Sequence, residues 1–474
     1  MKRGTTDKGR VHLIGICGTA MAALACMLQQ RGWLVSGSDA GSYPPMNGIL
    51  ARHDIEVLPG YQAERITPGL QLVVIGNVAA RENPEVQKTL SLGLPYKSLP
   101  EVLWSEFLSA ASVRAVVAGT HGKTTTSALA AWVLQAAGLE PSFLVGGLVN
   151  NFSANFQLGS KSLFVLEGDE YNAAFFDRRA KFHHYRPTHL MLTGLEMDHV
   201  DIFRDIGEIE AEFGRLIAAM PADGVIIACA DNQRLMQLLQ NCSCPVVTYG
   251  GNPGADFQLV GFEPVEAGSR LTVAGKDGCS FTLATATIGR HNAENVLAVY
   301  LLARKLGIDR EAIEKALTGF SGVKRRQEII ARKGETIYVS DFAHHPTAID
   351  KTLHALAEHY PRKKLVAVFE PRTATSRQSL FQNELAAAFG AADEVVIAPV
   401  YRGESISEDR RLATDKLAAE ITSRGVPATA AAGVEDIFVR ITGRGHEPQL
   451  VVIMSTGDFG GLFARVREFA GCQR

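Results

Sequence analysis

One stretch restricts the possible folds more than any other. Val113–Ala118 is a short apolar run, Gly119–Thr124 reads Gly-Thr-His-Gly-Lys-Thr, and Thr125–Ala137 has helical character. A strand that ends in such a loop and passes straight into a helix belongs in a parallel α/β sheet. The glycines remove side chains, so backbone N–H groups can turn inward on phosphate oxygens at a helix N-terminus. Lys123 then stands to neutralise β- and γ-phosphates, and the Thr124 hydroxyl to ligate Mg²⁺. The spacing departs from G-x-x-x-x-G-K-S/T, because Val117 occupies the first glycine position. A chance Gly-Lys-Thr in a helix cap is the plainer alternative. The strand before, the helix after and the threonines beyond favour a nucleotide.

The same alternation fills the rest of the chain. At 474 residues it is too long for one hydrophobic core, and roughly two to four domains are expected. Upstream, Val11–Cys17 is an apolar run ending in glycines, Thr19–Gln30 is helical, and Leu34–Asp39 is a second strand with an acid at its tip. Leu72–Gly76 and the helix-like Pro84–Leu92 continue the pattern, and Leu99–Leu108 reads as a helical connection. Beyond the glycine loop come strands Ser162–Leu166, His189–Thr193, Gly224–Ala228 and Val246–Tyr249, then a helix over His291–Leu306. A third unit opens near Gly322–Arg326. It has strands Thr336–Ser340, Lys364–Phe369, Glu394–Ala398 and Gln449–Met454, and helices Thr347–His359 and Phe381–Phe389. The expected fold class is α/β with mostly parallel sheets in three domains, at 1–111, 112–322 and 323–474. The first and last are Rossmann-like, and the central one is a phosphate-loop sheet of the ATPase type.

Composition excludes more than it suggests. With 46% hydrophobic and 21% charged residues and a formal net charge of −2, no global basic field points to nucleic acid or to a membrane surface. The seven cysteines, at 17, 26, 229, 242, 244, 279 and 472, are scattered and lack zinc-finger spacing, which fits a reduced cytoplasmic chain. Basic Met1–Arg10 followed by apolar Val11–Leu28 has the outline of a signal peptide. His12, Gly15 and Gly18 interrupt it, however, and Gln29-Gln30-Arg31-Gly32 stands where a cleavage site would be expected.

Further candidates cluster at strand ends, where doubly wound folds place ligands. Glu167-Gly168-Asp169-Glu170 follows one strand, and Glu196, Asp198 and His199 follow another. Beside a phosphate loop these supply hard oxygen ligands and an imidazole for metal. The turn Gly15-Ile16-Cys17-Gly18-Thr19-Ala20 suggests G-x-G-x-x-G with Cys17 and Ala20 in two glycine places, and Asp39 stands where a ribose-binding acid would. It suits a diphosphate; a nicotinamide-dependent oxidoreductase is the competing class, with Cys17 against it. Asn292 and Asn295 share one helix face at i, i+3. Arg325, Arg326, Asp341, His344, His345, Arg372 and Arg377 read together as phosphate and carboxylate clamps. A nucleotide switch without group-transfer chemistry would leave them unexplained.

At Gly119–Thr124, Asp169-Glu170, Glu196–His199, His291–Asn295, Arg325-Arg326 and Asp341–Pro346 the sequence resembles the Mur ligases of peptidoglycan synthesis, over about residues 11 to 465. The resemblance implies an enzyme forming amide bonds at the expense of ATP with Mg²⁺. Its first domain would bind a UDP sugar, its second ATP and its third the incoming peptide. Catalysis would fall to Lys123, Glu170 and His199, and metal to Thr124, Glu170 and His199. ATP would meet Gly119, Thr120, His121, Gly122, Lys123, Thr124, Thr125, His291, Asn292, Asn295, Arg326, Asp341 and His344. UDP sugar would meet Gly15, Gly18, Thr19, Ser38, Asp39 and Asn77, and peptide Arg372, Ser376 and Arg377.

Gly37–Met46, Glu167–Lys181, Asp341–Pro346 and Phe369–Arg372 are similar to the branch that joins UDP-N-acetylmuramate to the recycled murein tripeptide L-Ala-γ-D-Glu-meso-diaminopimelate. The alternative branch, adding L-alanine, resembles Glu-Ser-Asp rather than Glu-Tyr-Asn and Tyr-Gly-His-His-Pro rather than Phe-Ala-His-His-Pro. No obligate protein partner is expected. Two departures stand out: Asp201–Arg215 lacks the lysine that many relatives carbamylate, so none is expected, and Gly194 replaces a usual Asn.

Overall fold

The computed structural model describes residues 8–42, 44–159, 162–443 and 447–471; residues 1–7, Tyr43 and Cys472, which enter the readings above, lie outside them. Three sheets carry the fold. In the first, Arg10–Ile14 is central. Leu34–Asp39 and Val57–Pro59 lie to one side and Leu72–Ile75 and Tyr96–Ser98 to the other, all parallel. The chain leaves the middle in both directions, so the glycine turn after Ile14 sits at the topological switch point.

In the ten-stranded central sheet, Val113–Ala118 runs parallel between His189–Leu192 and Leu163–Glu167. Alternate side chains enter two cores: Ala115 and Val117 one, Val116 and Ala118 the other. Helices cover both faces. In Ile206–Ala218 the Asp205 carboxylate accepts from the Glu208 amide at 3.1 Å, capping the first turn. Ile209, Phe213, Leu216 and Ile217 of that helix, at i, i+4, i+7 and i+8, are buried.

The sheet edges depart from the parallel expectation. Phe257–Val265, Gly268–Gly275 and Ser280–Thr285 form an antiparallel meander, and Ala154–Gln157 pairs antiparallel with Ser142–Val149. Two residues separate the first two meander strands, and so short a link permits only a hairpin. In the third sheet, Glu328–Lys333 is antiparallel to Thr336–Asp341. Gln449–Met454, Lys364–Phe369, Glu394–Ile397 and Ala428–Ala430 follow in parallel.

The signal-like apolar run has a structural explanation. Every residue from Met21 to Leu28 in helix Thr19–Gln30 is buried. A helix apolar all round needs cover on all sides. Here its own sheet lies on one side and strands Ser142–Val149 and Ala154–Gln157 of the central domain on the other. Asn155 Nδ2 donates to the Thr19 carbonyl at 3.2 Å across this seam. A hairpin of Asn172–Ala174 and Asp177–Ala180 makes a second bridge, packing Phe175 and Phe176 against the Tyr61, Leu90 and Leu94 side of the first domain. Among the described residues no helix is long and apolar enough to cross a membrane.

Candidate active site

The glycine loop is shaped by what lies against it. Gly119 has φ 135°, and a Cβ there would collide with the Thr193 hydroxyl; Gly122 has φ 80°, and a Cβ would lie 2.8 Å from Asn295 Oδ1. Both positions therefore need glycine on conformational and steric grounds. The Thr120 amide donates to the Gly194 carbonyl at 2.8 Å, and the Thr193 hydroxyl to the His121 carbonyl at 2.5 Å. Gly194 itself sits at φ 133°. A Cβ here would meet Asn232 Nδ2 at 3.5 Å. Val117 lies wholly inside the strand, so the loop begins two residues later than the usual motif.

Helix Lys123–Ala136 starts directly beyond Gly122 and aims its N-terminus into the cleft. Lys123 Nζ donates to Gly119 O at 2.6 Å and to Glu170 Oε1 at 3.0 Å. Burial disfavours the ammonium, but Glu170, Asp169 and Glu167 outweigh it and hold Lys123 above its usual range. Glu170 is lifted by burial, then pulled below the ordinary carboxylate range by Lys123 and by a 2.9 Å hydrogen bond with His199 Nε2. Its second oxygen, Oε2, is buried with no hydrogen-bond partner. Burial lowers His199 and Glu170 more than compensates, leaving the imidazole above its usual value. Tyr171 Oη bonds His199 Nδ1 at 2.7 Å, which fixes the ring's orientation.

Glu167 partners Thr124, a pairing the sequence does not display. The Thr124 hydroxyl donates to Glu167 Oε1 at 3.0 Å, and the Gly146 amide to Oε2 at 2.6 Å. Burial raises Glu167 above the ordinary range despite Lys123. Thr124 with Glu167 and Glu170 with His199 thus form two bonded pairs near Lys123, hard oxygens with one imidazole. The unpartnered Glu170 oxygen and the neighbouring Glu167 carboxyl suit a hard dication.

The third domain closes over this set through polar contacts. Arg326 Nη2 reaches the Thr124 hydroxyl at 3.3 Å, Thr375 donates to Asp198 Oδ1 at 2.7 Å, and Thr347 donates to Glu196 Oε2 at 2.6 Å. Arg325, read as a second clamp, is instead turned away at φ 63° and bonds the Ser455, Thr456 and Gly457 carbonyls between Phe342 and Phe463. Asp341 holds the bend by accepting from the Gln327 and Ala343 amides at 2.7 and 2.8 Å, while burial raises its carboxyl.

Two cavities flank the loop. One of about 460 Å³ is lined by Thr124, Thr125, His291, Asn292, Asn295, Arg326 and Asp341, most of the candidate nucleotide set. Asn295 Nδ2 donates to Asn292 Oδ1 at 3.2 Å, as the i, i+3 spacing predicts. Burial pushes His291 down to about 3, so it presents a neutral ring. The other cavity, about 370 Å³, is lined by Lys123, Glu167, Asp169, Tyr171, His199 and Thr373–Thr375. His344 lines this second cavity, together with Thr120 and Lys123 of the loop. Its Nδ1 pairs with the Phe342 carbonyl at 3.0 Å, which turns Nε2 to within 3.8 Å of Asp198.

In the first domain the Gly15 and Ile16 amides donate to Ser38 O, and the Cys17 amide to Asp39 Oδ2 at 2.8 Å. Gly18 caps the buried helix that begins at Thr19, and Asn77 is exposed beyond the next strand. The Ser38 hydroxyl is not presented to the cleft: it is fully buried and donates to Glu85. Glu85, missed in the sequence, is equally buried and lies below its ordinary range; burial lifts it, but bonds from His12, Ser38 and the Gln62 amide win. In the third domain Arg372 stacks on Tyr401 at 3.7 Å, and Arg377 Nη1 reaches Tyr401 O and Ser405 Oγ at 3.4 Å. Ser376 is buried, and its hydroxyl accepts from the Arg372 and Thr373 amides, so it shapes the loop and does not face a peptide.

Three family models match the chain in succession: the Mur ligase family catalytic domain over residues 10–109, the Mur ligase middle domain over 117–303, and the Mur ligase glutamate ligase domain over 325–457. The solved murein peptide ligase of Psychrobacter arcticus is similar at TM-score 0.72 and 32% identity, covering 98% of this chain and 99% of that one. The chain belongs to the Mur ligase family. Within it, the UDP-N-acetylmuramate–L-alanyl-γ-D-glutamyl-meso-2,6-diaminoheptandioate ligase of Escherichia coli is 36% identical, covering 97% of this chain and 98% of that one. A UDP-N-acetylmuramate–L-alanine ligase of Clostridium tetani is 30% identical, covering 96% and 98%.

Proposed function

We propose that this chain joins the lactyl carboxylate of UDP-N-acetylmuramate to the amine of L-Ala-γ-D-Glu-meso-diaminopimelate, cleaving ATP to ADP and phosphate. The observation that carries the reading is Lys123, Glu170 and His199 meeting beside the glycine loop, with Lys123 and His199 lining the second cavity. The similarity to the Escherichia coli tripeptide ligase supports the acceptor over L-alanine.

A carboxylate is a poor electrophile and needs activation. Its oxygen attacks the γ-phosphorus, the bond to the β–γ bridging oxygen breaks, and ADP leaves with the electron pair. The peptide amine then attacks the acyl carbon, loses its proton, and phosphate leaves. Lys123 and Arg326 would spread cationic charge over the transferring group. Thr124, Glu167, Glu170 and His199 are the residues that would hold Mg²⁺, which when bound neutralises phosphate charge. Asn292, Asn295 and neutral His291 fit the nucleoside side, with Asp341 fixing the bend that delivers Arg326. Gly15, Gly18, Thr19, Asp39 and Asn77 fit the UDP group at the switch point. Arg372 and Arg377 fit the peptide carboxylates. Tyr171, beside His199, marks where the alanine-adding branch has serine.

Incubating the purified chain with ATP, Mg²⁺ and UDP-N-acetylmuramate, then offering tripeptide or L-alanine, tests the reading. Phosphate release with tripeptide is expected. Release with L-alanine alone would transfer the chain to the biosynthetic branch.

A further inference from the structure

The loop histidine, an acid of the next strand's loop and a histidine of the third domain meet beside the two cavities, both of which His121 lines. His121 Nε2 lies 3.3 Å and His345 Nδ1 3.6 Å from Glu196 Oε2, and the three donor atoms all fall within 4.8 Å of one another. The imidazole centroids are 4.8 Å apart at 43°. His345 Nε2 faces the Met197 carbonyl at 3.1 Å and so carries the proton, while Nδ1 accepts from the Thr347 amide at 3.4 Å. Burial opposes a second proton on that ring. Nδ1 thus lies on the Glu196 side with a 3.4 Å amide contact that an ion would replace.

We propose that His121, Glu196 and His345 form a site for a borderline transition-metal dication such as Zn²⁺, which pins the third domain to the glycine loop. Two imidazoles and one carboxylate, with a fourth position open, are a zinc donor set. Ligands about 2.0 Å from a tetrahedral ion stand roughly 3.3 Å apart, close to the two separations to Glu196. The outer contacts are also in place: the Met197 carbonyl orients the His345 ring, and the Thr347 hydroxyl steadies Glu196 at 2.6 Å. The Glu196 side chain is 35% exposed, which gives an ion entry and leaves water the open position. Imidazole favours zinc over Mg²⁺, so this site and the oxygen-rich one around Glu170 select different ions. The only other grouping of this kind among the described residues, Cys229, Asp231 and Glu294, is weaker, because both Asp231 oxygens accept from the Gly251 and Asn252 amides at 2.7 and 2.6 Å, much shorter than the 3.4 Å contact at His345 Nδ1.

The ion ties residue 121 to residue 345 across the closing seam, so occupancy holds the cleft shut. The test is zinc binding to the metal-free full chain by equilibrium dialysis, with Co²⁺ as a spectroscopic substitute. A single ion with a tetrahedral cobalt spectrum is expected. Affinity falls more than about 100-fold in His345→Asn and in Glu196→Gln, beyond what loss of an outer contact costs. His199→Asn keeps the site. Thermal melting of the metal-free variants checks folding, and Glu196→Gln carries the test if His345→Asn does not fold. Binding unchanged in the folded variants, binding lost only in His199→Asn, or no binding by the wild type overturns the proposal.

Discussion

Replacing Lys123 by Met removes the one ammonium buried against Glu170, and its effects separate into two measurable parts. Lys123 Nζ is 3.0 Å from Glu170 Oε1, and Glu170 Oε2 already lacks a partner. Breaking a buried pair by deleting one member costs about 3–5 kcal/mol, because the other charge stays behind. For a central domain of this size that corresponds to a melting midpoint lower by roughly 6–20 °C. The dependence on pH also weakens. With Lys123 present, Glu170 lies below its ordinary range, so its contribution is present at neutral pH and lost as pH falls through the folded value. In Lys123→Met, only His199 is left to offset burial, so that contribution shrinks and the drop in midpoint is larger at neutral than at acid pH. Scanning fluorimetry at about pH 5 and about pH 8 reads this directly. Adding Glu170→Gln restores the midpoint but not turnover, which falls at least about 100-fold in either variant through loss of transition-state charge stabilisation. A single variant melting like the wild type at both pH values refutes the argument about the pair. One that also turns over like the wild type removes Lys123 from the chemistry.

Gly122→Ala places a Cβ 2.8 Å from Asn295 Oδ1 at φ 80°; a strain of about 1–2 kcal/mol and a KM for ATP raised about tenfold are expected, read by melting and steady-state kinetics. Tyr171→Phe frees His199 Nδ1, so kcat drops about 10–100-fold while KM for ATP is unchanged; an altered KM alone would point to misfolding of the hairpin. Glu196, lifted by burial but pulled down to about 2 by His121, Thr347 and His345, adds stability above its ordinary 4.5 that is lost as pH falls toward 2. Acid melting curves of the wild type should therefore fall more steeply over that window than those of Glu196→Gln.

Much of the architecture is visible in the sequence because buried parallel strands are continuous apolar runs. Val113–Ala118, Lys364–Phe369 and Gln449–Met454 show this with their observed bounds. The antiparallel meander Phe257–Thr285 escapes the same reading, since its strands are half exposed and mix polar with apolar residues. Within the site, residue type and order reveal the loop, Glu170 and His199. They do not reveal direction. Arg325 and Arg326 are chemically identical neighbours, and only the left-handed backbone at Arg325 and Gln327 sends one toward Thr124 and the other into the third domain's carbonyls. Ser38 and Ser376 look like ligand hydroxyls but are consumed internally, while Glu167 finds Thr124 through strand register, which no short motif encodes.

The all-apolar helix Thr19–Gln30 also determines which parts of the molecule can separate. Parting the first two domains would strip cover from Met21–Leu28, at about 25 cal/mol for every Å² of apolar surface bared. The third domain meets the loop through groups such as Thr347, Thr375 and Arg326, whose hydrogen bonds water can replace almost in kind. Breathing of the cleft is thus confined to one wall. The first and central domains travel as a single anvil, and the third domain is the hammer.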